Sequence, residues 1–143
     1  KLIGLLSQLP GAASYPVESP GKLRELVRES GPGHRLGFVS GDCCMVFETQ
    51  APGLATVSLQ PLLDAFTAPG EGPSIDYIHG EEELIRLAAG QGGRPAAGIL
   101  LPPIRKEGLF RTIAQSGPLP RKSFSLGEAS EKRFYLECRK LFS

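Results

Sequence analysis

The sequence predicts a mixed α/β domain, with α+β as the alternative, in which helices cover a mixed sheet. Three observations carry that reading. Residues 35–40 and 43–48 are apolar runs on either side of Gly41-Asp42. Gly and Asp tolerate the positive φ of a two-residue hairpin loop, so the pair reads as a hairpin. Ser19-Pro20 followed by Leu23, Leu26 and Val27 reads as a cap, a first helical position and one apolar helix face. Residues 96–101 (AAGILL) are apolar throughout and end at Pro102-Pro103, which suits a central strand covered on both faces.

The remaining elements follow from local signals. Residues 1–9 read as the tail of a helix that Pro10-Gly11 stops, and residues 14–17 as a short strand. Gly31-Pro32-Gly33 closes the helix that opens at Ser19. After the hairpin, residues 59–66 read as a short helix with Ser58 as its cap, because Pro61 fits only a first turn. A Gly/Pro-rich connector at 67–73 is the candidate internal boundary. Beyond it, residues 74–79 read as a strand, and 81–89 as a helix with three glutamates in its first turn, where the helix dipole favours them. Next come the strand at 96–101, a helix over 104–115 and a strand over 122–126. A final helix carries Phe134, Cys138, Leu141 and Phe142 on one face. The first half is thus β-α-β-β-α, a split β-α-β arrangement with the next strand. The second half is β-α-β-α-β-α, which favours parallel strands joined by crossovers.

Length and composition narrow the function. A chain of 143 residues suits a single domain spanning 1–143, large enough to bury roughly two thirds of its unfolded surface without staples. Lys1 stands where an initiator Met would, so the chain reads as the C-terminal fragment of a longer protein. No apolar run approaches the roughly 20 residues of a membrane span. A net charge of +1 argues against a nucleic-acid binder driven by phosphate neutralisation. The charge is uneven: residues 1–120 hold 10 Lys/Arg and 12 Asp/Glu, and residues 121–143 hold 6 and 3. A mildly basic end on a neutral body suits a small anionic ligand or an acidic partner. Cys43, Cys44 and Cys138 form no framework, so the chain reads as reduced and cytoplasmic. The cysteines read as small core hydrophobes, since nothing nearby in sequence would activate a thiol. There is no zinc spacing and no phosphate loop of the GxxxxGK kind, so no cofactor is expected.

Four residues could form a ligand-binding corner. His79 ends the strand expected at 74–79, just before a helix, where sites form on α/β sheets; the plainer reading is a hydrogen-bonding residue at a tight turn. Arg121, Lys122 and Ser123 follow a proline-framed turn, and cations beside a hydroxyl suit a carboxylate or phosphate. Successive strand residues point to opposite faces, so only one of the two cations can enter a shared pocket. Arg105, after Pro102-Pro103, is placed to join Lys122. The plainer reading of Lys122 is a solvated strand start, or an ion pair with Glu81, Glu82 and Glu83. Those glutamates are consecutive on a helix and do not converge on one metal ion.

From Ile75 onward the segments IDYIHGEEELIRLA, AAGILLPPIRKEGLFRTIAQSGPLPRKSF and EKRFYLECRKL resemble, in order, the C-terminal part of an uncharacterised bacterial family, domain of unknown function 1015. GHRLGFVSGDCCMVFE fits the preceding segment more loosely. The resemblance puts a His at 79, a proline-containing loop at 102–103 and the shared pair at Lys122-Ser123. Upstream, that family is similar to the superfamily of ParB-like partition proteins, sulfiredoxin and free-serine kinases, whose Asp-Gly-His-His-Arg-type segment cradles nucleotide phosphates. This chain has no such segment: His34 and His79 stand apart.

Two functions are consistent with these residues. One is an accessory or regulatory small-anion-binding domain of a cytosolic bacterial enzyme of phosphotransferase type, with His79, Arg105, Lys122 and Ser123 at the ligand and no catalysis by the fragment alone. The other is a structural or interaction domain without a ligand site, which docks the N-terminal remainder of its own chain or forms a homodimer through Leu2, Ile3, Leu5 and Leu6. Neither reading involves nucleic acid or a membrane.

Overall fold

The hairpin around Gly41-Asp42 is the centre of the molecule. In a computed structural model, β2 (His34–Ser40) and β3 (Cys43–Thr49) pair antiparallel from Ser40↔Cys43 to His34↔Thr49, with Gly41 at φ 55° in the loop. The structure describes residues 1–29, 31, 33–67, 73–90, 96–104, 109–111, 113–114 and 117–119. Around the hairpin stand α1 (Leu2–Leu6), β1 (Ala13–Pro16), α2 (Pro20–Arg28), α3 (Ala55–Phe66), α4 (Glu81–Ala88) and β4 (Gly98–Leu100). Helices and strands therefore coexist. Among the described residues the sheet runs β1-β3-β2-β4, and each of its three pairings is antiparallel. β1 and β2 lie parallel to each other with β3 between them, and α2 connects them.

The register explains why the hairpin is apolar on both faces. Leu36 lies opposite Phe47 and Phe38 opposite Met45, while Gly37 lies opposite Val46 and Val39 opposite Cys44. Strand side chains alternate, so the first set faces one side and the second set the other. The first side holds Leu36, Phe38 and Phe47 under Leu6, Leu9, Ala55 and Leu59 from α1, its exit turn and α3. The second holds Val39, Cys44, Val46 and Leu100 under Leu23 and Val27 of α2 and Ala88 of α4. Fully burying each large apolar side chain contributes about 1.5–3 kcal/mol.

Local chemistry sets several boundaries. Ser19 Oγ accepts the Lys22 amide at 3.3 Å and Pro20 opens α2, so this helix starts at the predicted cap. Thr49 is buried; its hydroxyl donates to the Pro10 carbonyl at 2.8 Å and accepts the Ala51 amide at 3.1 Å. That contact fastens the α1–β1 turn to the end of β3. Tight backbone approach fixes Gly33, where a Cβ would meet the Thr49 carbonyl oxygen at 2.6 Å.

Several expectations are corrected. Residues 74–79 form no strand. A strand needs a neighbouring edge, and this segment is instead tied to α3 by the Tyr77 hydroxyl, which donates to Gln60 Oε1 at 3.0 Å. The strand expected at 96–101 narrows to β4. It pairs with β2 antiparallel rather than parallel and is outermost among the described strands rather than central. Its apolar run serves both faces, with Ile99 against the first core and Leu100 in the second. Helix α3 begins at Ala55 rather than 59; Leu54 is its N-cap, Ser58 is internal and Pro61 sits inside the helix. An internal Pro costs about 3 kcal/mol, and the helix nevertheless buries Ala55 and Leu59 on its core side. Residues 101–104 are not helical, while 109–111 and 113–114 are. The strand at 122–126 and the final helix lie outside the described residues.

Candidate functional site

Of the four residues assigned to a ligand corner, only His79 can be located. It is exposed and precedes Gly80, the N-cap of α4, whose φ is 100°. Arg105, Lys122 and Ser123 lie outside the described residues. The expected strand tip beneath His79 is absent, so the histidine stands on a loop rather than on the rim of a sheet.

The electrostatics at this helix end are specific. Glu81, Glu82 and Glu83 occupy the first turn of α4, where the partial positive charge of the helix end favours carboxylates. An anion approaching His79 would meet three of them. Sequence reasoning left these glutamates solvated or paired to Lys122; the structure pairs each with an arginine. Arg28 holds Glu81 through two bonds, Nη2 to Oε2 at 2.7 Å and Nε to Oε1 at 3.3 Å. Arg24 Nη1 lies 3.6 Å from Glu82 Oε1. Arg86 Nε donates to Glu83 Oε2 at 2.8 Å. That hydrogen bond lowers the Glu83 pKa below the ordinary carboxylate value and raises that of Arg86. Two of these pairs join α4 to α2, which makes the acidic turn a fastening between helices.

A second polar group lies on the same side of the sheet. Tyr15 OH donates to Glu48 Oε1 at 3.3 Å, and Arg35 Nε donates to the same oxygen at 2.8 Å. Burial is the main cause of the raised Tyr15 pKa, with the Glu48 charge adding to it and Arg35 opposing. The phenol serves as a donor to Glu48. Sequence reasoning missed this trio, although part of it was within reach. A two-residue loop at 41–42 pairs 40 with 43 and hence 35 with 48, so Arg35 and Glu48 had to face each other.

The cysteines divide. Cys44 is buried in the second core, and burial is the first cause of its raised thiol pKa. Cys43 is exposed, which corrects its assignment to the core. Neighbours on a strand point to opposite faces, so one of an adjacent pair enters the core and the other leaves it. Cys138 lies outside the described residues. Among the described residues no three His, Cys, Asp or Glu gather as metal ligands, and no helix is long and apolar enough to cross a membrane.

One open cleft of about 600 Å³ lies between β1 and the first turn of α2, and Tyr15, Ser19, Lys22, Glu25 and Leu26 line part of it. Its lysine is engaged: Lys22 Nζ donates to Glu25 Oε2 at 2.7 Å. Helix α1 divides its apolar residues between the core and the surface. Leu6 is 1% exposed and Ile3 38%. Leu2 and Leu5 are half-buried. The four therefore neither leave the fold together nor lie wholly within it. Phe110, at 81% exposed, is the most exposed large apolar side chain among the described residues.

No family model, curated protein or solved structure matches the chain.

Proposed function

We propose that this chain is an interaction domain rather than a ligand-binding one, and that it meets a partner through apolar side chains its own core leaves outside. The observation that carries the reading is the way charge is used among the described residues. Arg24, Arg28 and Arg86 face Glu82, Glu81 and Glu83, Lys22 faces Glu25, and Arg35 faces Glu48. Cations committed to internal carboxylates are poorly placed to receive an external anion. Exposed Ile3 and Phe110 are the apolar side chains through which the proposed docking would occur. The partner is a second copy of this chain or the remainder of a longer one.

The second reading is the accessory small-anion domain of a phosphotransferase-like enzyme, as the resemblance to domain of unknown function 1015 implies. It is favoured by the exposure of His79. One pair of measurements separates the two. Sedimentation velocity over a concentration series should show self-association that weakens in Ile3→Glu or Phe110→Ser. Thermal shift with inorganic phosphate, ATP or phosphoserine should leave the melting point unchanged, because a ligand that binds only the native state must raise it. A rise that Lys122→Ala abolishes would replace the first reading with the second. A monomer at every concentration would remove self-association from the proposal.

A further inference from the structure

We draw no further inference here: the strongest candidate, the open cleft between β1 and the first turn of α2, holds a lysine already paired with Glu25 and a serine already capping its own helix, and nothing in the structure shows what covers it.

Discussion

The two faces of the sheet are held by different means. On the first, large side chains fill the space: Phe38 and Phe47 meet edge to face, with centroids 6.5 Å apart and planes at 78°, beneath Leu6, Leu9 and Leu59. Such a pair adds about 0.5–1.5 kcal/mol beyond its area. On the second, small residues let helices come close. A Cβ at Gly37 would meet Leu23 Cγ at 3.0 Å and Val27 Cγ2 at 3.1 Å, and one at Gly98 would meet Leu84 Cδ2 at 2.5 Å. Helices α2 and α4 accordingly lie close to the strand backbones, whereas α1 and α3 approach those backbones at fewer points. Only on the second face do ion pairs among those described link one helix to another. A face filled by bulk is sensitive to removal; a face built on close approach is sensitive to addition.

Removal should give the largest effect. Phe47 is 0% exposed, and Phe47→Ala should cost about 3–5 kcal/mol, read as a lower urea midpoint. A cost below about 1 kcal/mol would mean that the first face closes over the gap, and the contrast would fail there. Addition comes next. Gly37→Ala should destabilise by about 1–3 kcal/mol through overpacking, of which the more restricted unfolded chain returns at most about 1 kcal/mol. A neutral or stabilising result in the same urea titration would show that α2 does not need its present distance from β2.

The ion pairs should matter less. Arg28 and Glu81 are 65% and 35% exposed, so a double-mutant cycle with Arg28→Ala and Glu81→Ala should give a coupling of about 0.2–1 kcal/mol. At 1 M salt, where screening acts over about 3 Å, the coupling should shrink. A coupling that persists at high salt would mark the pair as desolvated. The smallest effect is in acid. The Lys22 hydrogen bond lowers the Glu25 pKa from its ordinary 4.5, and the Arg86 hydrogen bond does the same for Glu83. A carboxylate whose folded pKa is lowered contributes its stability above the unfolded value. That contribution is lost as pH falls through the lowered one. Both pairs lie on the second-face helices, so Glu25→Gln with Glu83→Gln should flatten part of the melting-point decline as pH falls below the ordinary carboxylate value of 4.5. An unchanged decline would assign it to other groups.

Legibility tracked the range of the forces involved. The hairpin, the Ser19 cap and helix α4 were readable because their causes lie within a few residues: positive φ at Gly41, a hydroxyl three residues before Lys22, carboxylates at a helix start. The strand expected at 74–79 failed for the opposite reason. Ser-Ile-Asp-Tyr-Ile-His is compatible with extended chain, but pairing depends on a free edge elsewhere, and Tyr77 is drawn to Gln60. Residues 96–101 were apolar for a sound reason, double coverage, yet coverage does not specify position: β4 is covered on both faces while standing outermost among the described strands. The Pro61 rule gave the wrong start for α3, which opens at Ala55 and keeps Pro61 inside the helix. At the candidate site, the type and place of His79 were readable, but the arginine partners of Glu81 and Glu82 come from 53 and 58 residues earlier in the chain.

By itself, then, the amino-acid order determined where the chain turns, where α2 and α4 begin, and which strand residues share a face, because sterics, capping and a period of two act over short spans. The tertiary structure alone decided which edge β4 joins, that its pairing there is antiparallel, and that the acidic turn after His79 faces arginines of α2. Those outcomes depend on which distant surfaces come within bonding and packing distance, and no spacing along the chain encodes that distance.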